Sequence, residues 1–220
     1  MTTPDEAING LRAADQRRQG RVETPDTGPI TAERLTEVEA IAHTIRAWNP
    51  SIIPGLLQTI RYTLGALALA TPALPAEETQ RRAHQRAARI DAFLKRWVDG
   101  DPVEARFVIG EQAITRPIAA PQAHRRQLRH LLHLVDLDSL SIQVMPEAVT
   151  TPGRLGQFAL YALRGDAGRE GGRLGYVETP VGAWYTTRAQ DVARLYAGFD
   201  DMTAHALSTD ESRTFIQEAL

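Results

Sequence analysis

The 220 residues contain no cysteine. That excludes disulfide bridges, thiolate nucleophiles and cysteine-ligated metal centres, and it fits a reducing compartment. Lysine is nearly absent as well. Lys95 is the single one, and arginine supplies the remaining side-chain cations. The longest apolar stretch, around Leu64–Ala70, is far too short to span a bilayer. The opening MTTPDEAING has neither a basic nor an apolar region of the kind a secretory signal needs, so a cytoplasmic chain with no membrane attachment is expected. A formal net charge of −2 argues against general adhesion to nucleic acid, and no direct nucleic-acid binding is expected. G-x-S-x-G is missing, and no Gly-rich phosphate loop follows a strand. The glycines of RGDAGREGGR lie between two predicted strands, without the helix N-terminus that makes such loops bind phosphate.

What remains is an ordinary globular composition, 43% apolar and 24% charged. Residues 1–30 are rich in Thr, Pro, Asp, Gly and Arg and read as a flexible arm, leaving 31–220 as one domain. From Thr31, Leu35, Val38, Ile41, Ala42 and Ile45 recur every three or four residues, predicting an amphipathic helix that ends by Asn49-Pro50. The stretch PSIIPGLLQT (50–59) follows. Pro54 fixes its own backbone and Gly55 permits a bend, which predicts a rigid corner between helices. Further helices are predicted over Leu57–Leu69, stopped by Thr71-Pro72, and from Pro75 to about Trp97. The period then changes. Alternation predicts strands over 103–109, 139–145, 158–163, 175–178 and 183–185, with a helix over 121–137 among them and two more after Ala189 and Ser208. The expected fold is α+β: N-terminal helices, then a small, mostly antiparallel sheet with packed helices.

Glu111 and Glu178 both follow or end strands. At strand ends, two carboxylates can share a proton or take a cation. Equally, Glu111 can cap the helix beginning near Gln112 while Glu178 pairs with an arginine. Gln58 closes the corner and can offer its amide to a ligand or to neighbouring backbone. Phe158, Tyr161, Tyr176, Trp184 and Tyr185 either line a pocket for a flat ligand or fill the core. His124, Arg125, Arg126, Arg129, His130 and His133 lie off the leucine face of their helix and read as a solvated surface or a phosphate contact. His130 and His133 share a helical side, but no third ligand type is near, so no metal is expected.

The blocks IIPGLLQT, FVIGEQAI, RRQLRHLLHL, SLSIQVMPE, GQFALYAL and GYVETPVGAWY occur in that order. Together they resemble the C-terminal domain of unknown function of actinomycete Xre-type helix-turn-helix regulators, over about residues 31–220. The arginine bias agrees with such an origin. Two local departures stand out: RRAHQRAARIDAF where the family tends to have an Arg-Gln pair, and TTPGRLGQF where it tends to have a histidine. Only about thirty residues precede the resemblance, too few for a helix-turn-helix module, so none is expected. The resemblance implies an effector- or partner-binding domain, with Gln58, Phe158, Tyr161 and Trp184 as candidate ligand contacts. Its partner would be a small molecule, another regulator in an antitoxin-like pairing, or a second copy. The alternative is a cofactor-free enzyme recruited from such a domain, performing cyclisation, isomerisation, elimination or hydrolysis on a specialised metabolite. Glu111 or Glu178 would then act as acid or base, with Tyr185 or Tyr161 as hydrogen-bond partner.

Overall fold

The computed structural model describes residues 29–69, 73–151, 156–165, 170–179 and 182–220. Helix α1 (Pro29–Ile41) leads directly into strand β1 (Ala42–Asn49). The corner contains one turn of 3-10 helix, Gly55–Leu57, and is followed by α2 (Ile60–Ala68) and the long α3 (Ala76–Val98). Then come β2 (Glu104–Gly110), the short α4 (Glu111–Thr115), α5 (Pro121–Leu134) and β3 (Leu140–Met145). Strands β4 (Phe158–Arg164), β5 (Glu170–Thr179) and β6 (Gly182–Thr186) follow, and α6 (Ala189–His205) and α7 (Thr209–Glu218) close the chain.

These strands form one six-stranded sheet, ordered β3-β2-β1-β4-β5-β6. The fold class is α+β, as expected. The sheet is mixed: β1, β2 and β3 pair in parallel, while β4, β5 and β6 add antiparallel strands on the other side of β1. A parallel pair needs a crossover, and α2–α3 and α4–α5 supply the two crossovers here. Helix α1 ends at Ile41, so the prediction of helix through to Asn49 is corrected. The segment 42–49 is the central strand and is buried almost throughout. Covered on both faces, it shows little alternation to mark it as a strand. The other predicted strands and helices are present with small shifts of boundary, except that β5 begins at Glu170, five residues before the predicted start, so 170–173 belong to the strand and not to the glycine-rich connection. The expected arm falls almost wholly on residues 1–28, outside the described residues. So do the helix stop at Thr71-Pro72, residues 166–169 of the glycine-rich connection and residues 152–155 of TTPGRLGQF.

The two faces carry different cores. On one, Ile45, Ala47, Phe107, Ile109, Ile142, Val144 and Leu163 meet Val38 of α1, Phe93 of α3, Leu128 and Leu131 of α5 and Ile216 of α7. On the other, Trp48, Val108, Met145, Phe158 and Leu160 meet Phe199 and Met202 of α6. Gly110 ends β2 against the chain leaving β1. A Cβ there would stand 2.0 Å from the Pro50 carbonyl oxygen, so any larger residue must displace main chain. At the far end, Ser208 caps α7: it accepts the Glu211 N–H, and Glu211 accepts the Ser208 N–H in return. Among the described residues no helix is long and apolar enough to cross a membrane.

Candidate functional site

The PSIIPGLLQT corner is held by polar side chains. Gln58 is buried at 3% exposure, and its Nε2 donates to the Ile53 carbonyl at 2.7 Å. Gln127 of α5 reaches back from the opposite side. Its Oε1 accepts the Thr59 N–H and its Nε2 donates to the Leu57 carbonyl, both at 2.6 Å. The Tyr62 hydroxyl accepts the Ile53 N–H at 3.2 Å; burial raises this phenol above its ordinary value, and that hydrogen bond offsets part of the rise. A bend of this shape cannot use a strand or helix ladder, so these side chains satisfy the main chain instead. Leu56 and Leu57, between them, enter the core.

One acceptor of the corner faces α3. Gln58 Oε1 takes a hydrogen bond from Thr63 Oγ1 at 3.0 Å and another from Arg86 Nη1 at 3.1 Å. Among the described residues this is the one hydrogen bond Arg86 makes, and no carboxylate pairs with it. One turn along the same helix, Arg89 is fully matched. Its Nε and Nη2 donate to Glu39 Oε2 and Oε1 of α1 at 2.9 and 2.7 Å. Tyr161 of β4 donates to the same Glu39 oxygen at 3.5 Å. Tyr176 of β5 lies opposite Ala159, and Tyr185 of β6 lies opposite Tyr176, their rings tilted with centroids 5.2 Å apart.

The electrostatics separate the two arginines. Burial pulls the Arg86 guanidinium below its ordinary value and the positive charge of Arg89 adds to this; Glu178, Tyr176 and Glu39 compensate in part. Burial acts on Arg89 as well, but the Glu39 carboxylate and its two hydrogen bonds outweigh it, so Arg89 sits above its ordinary value. The phenols of Tyr161 and Tyr176 are both raised, chiefly by burial, then by nearby carboxylate charge. Neither is therefore a ready proton donor near neutral pH.

The candidates from sequence divide into three places. Gln58, Tyr161, Tyr185 and Glu178 lie on the helix-covered face, where Arg86 and Arg89 join them. Phe158 and Trp184 lie on the other: Trp48, Phe158, Val177 and Trp184 form a row across the strands on the side of α6. Glu111 is elsewhere. Its Oε2 accepts the Glu147 N–H at 2.8 Å, so it ties α4 to the chain after β3 and does not cap α4 with its side chain. Three strand spacings separate the end of β2 from β5, roughly 14 Å, so Glu111 and Glu178 share no proton. Glu178 is exposed and accepts from Gln157 Nε2 at 3.2 Å; Gln157 in turn accepts from Asn49 Nδ2 at 3.4 Å. On α5, His124 leaves the basic face altogether: it is buried and bonded through Nε2 to the Ile114 carbonyl at 2.7 Å, while Arg125, Arg126, Arg129 and His133 are exposed. Among the described residues no group of three or more histidines or carboxylates is placed to hold a metal ion.

Residues 32–218 match a protein family described as a domain of unknown function, DUF5753. The chain belongs to the DUF5753 family. No curated protein matches it.

The sequence reading of this DUF5753 domain passed over Glu39, Arg86 and Arg89. A signal for the arginines was present. Ala83, Ile90, Phe93 and Trp97 form the inward stripe of α3, and Arg86 stands in it, three residues after Ala83 and four before Ile90. A charge in an apolar stripe needs a partner. Arg89 finds Glu39. Arg86 finds an amide.

Proposed function

We propose that this DUF5753 domain is an effector-binding unit of the kind carried by actinomycete Xre-type regulators, and that it takes up a small molecule where the PSIIPGLLQT corner, α3 and strands β5 and β6 converge. The six ordered sequence blocks support the relationship. The observation that carries the binding reading is Arg86: a recessed guanidinium held by Gln58 and left without a carboxylate among the described residues, beside an arginine that has one. A buried charge without a counter-ion is costly to fold around. Groups of this sort concentrate where binding needs them. Gln58 positions Arg86, and the tyrosines of β5 and β6 supply an aromatic floor.

Native mass spectrometry of the protein from its own host, under gentle conditions, tests this. The expected result is a retained small molecule that is lost in Arg86→Met. A ligand-free chain, or one carrying only another protein, would refute the effector reading. Turnover of the retained molecule, abolished in Glu178→Gln, would replace it with acid/base catalysis at this site.

A further inference from the structure

Resting on that reading, we infer that the ligand is a monoanionic carboxylate with an aromatic or flat apolar body, whose carboxylate takes the open donors of Arg86. A guanidinium has five N–H donors in a planar fork that matches a carboxylate with two parallel hydrogen bonds. Arg86 uses one of its groups on Gln58 at 3.1 Å and keeps part of its surface open to solvent. Gly55 stands over it: a Cβ on Gly55 would lie 3.9 Å from Arg86 Nε, so the corner leaves the guanidinium uncrowded. The ring pair Tyr176–Tyr185, tilted by 54° with centroids 5.2 Å apart, provides the surface for the body of the ligand.

The charge count selects the anion. Arg89 is neutralised by Glu39, which leaves one positive charge, that of Arg86, without an ion-pair partner among the described residues. Glu178 sits close enough to act on Arg86 but makes no ion pair with it. One guanidinium beside one free carboxylate favours a single negative charge over the two of a phosphate monoester.

Benzoate is the probe, with benzamide as its neutral isostere and phenyl phosphate as the dianion. Binding is read by thermal shift and by the arginine side-chain 15Nε resonances of the full chain. Benzoate is expected to raise the melting temperature and shift the Arg86 resonance, with benzamide doing neither and phenyl phosphate binding more weakly. Glu178→Gln is expected to tighten benzoate on the order of threefold, the size of a screened unit-charge repulsion. Arg86→Met is expected to melt above the wild type and to lose the benzoate response, because it removes a buried charge, while Gln58 Oε1 keeps its hydrogen bond from Thr63 Oγ1. Equal responses to benzoate and benzamide would overturn the inference, as would tighter binding of phenyl phosphate. So would an Arg86→Met chain that melts lower, fails to fold or still responds to benzoate. A neutral metabolite retained in the native mass spectrum would uphold the effector reading and overturn the carboxylate. Benzoate shifting Arg86 in a chain that retains nothing from its host would do the reverse.

Discussion

Glu39→Gln is the sharpest test of how the helical layer is fastened to the sheet. Glu39 and Arg89 are 7% and 11% exposed at the side chain, and two hydrogen bonds join them. Substituting the carboxylate keeps the shape and strands the Arg89 cation beside Arg86, which among the described residues has no carboxylate to share. Breaking a buried pair by removing one partner costs about 3–5 kcal/mol. For a chain of this size each kcal/mol is worth about 2–4 °C, so a fall of roughly 6–20 °C in Tm is expected. Arg89→Met should cost a similar amount, because it strands Glu39 next to the Tyr161 hydroxyl. The double variant Glu39→Gln with Arg89→Met leaves neither charge stranded and should recover part of the loss, giving a coupling energy of at least about 2 kcal/mol. Urea unfolding of the four chains measures this cycle. If both single variants lie within about 1 kcal/mol of the wild type, or if their effects simply add, the pair does not fasten α1 and α3 to the sheet. The contrast with Arg86→Met, expected to stabilise, makes the test sharper: neighbouring arginines on one helix should move the melting temperature in opposite directions.

Two further outcomes follow from the corner and from the last helix. Gln127→Leu removes the acceptor of the Thr59 N–H and the donor to the Leu57 carbonyl, so unfolding free energy should fall by about 1–3 kcal/mol for each main-chain group left without a partner; full stability would mean the corner holds its shape without α5. Hydrogen bonds from Ser208 hold the Glu211 carboxyl below its ordinary 4.5, so the stabilisation of α7 is complete above that pH and is lost as pH falls below it. Amide protection factors across Thr209–Glu218, taken relative to the intrinsic exchange rate at each pH, should fall on acidification, and Ser208→Ala should lower them already near neutral pH; unchanged protection in Ser208→Ala would show that the cap does not hold the helix.

How much was legible depended on whether an element's signal was local. Helices α3 and α5 and strands β2, β3 and β4 each carry their own period and stop signals, and Ser208 with Glu211 marks the start of α7 within four residues. Strand β1 carries no such mark. Its period was read as a continuation of α1, and only its pairing with β2 on one side and β4 on the other makes it a strand. The site divides in the same way. Gln58 was visible because the prolines and glycine around it announce a corner. Sharing of a face was not visible: a one-residue step along a strand sends a side chain to the opposite side of the sheet, so Trp184 and Tyr185, adjacent in sequence, are separated by the sheet itself.

By itself, then, the sequence determined the α+β composition, most elements and the corner, because propensity, turn chemistry and hydrophobic period act over a few residues. The tertiary structure alone decided that the sheet is mixed, that Glu111 and Glu178 stand three strands apart, and that Arg89 meets Glu39 while Arg86 meets an amide. The two arginine contacts join residues 50 and 28 positions apart in the chain. Local chemistry does not encode which buried charge will find its partner; the packing of α1 and α3 on the sheet does.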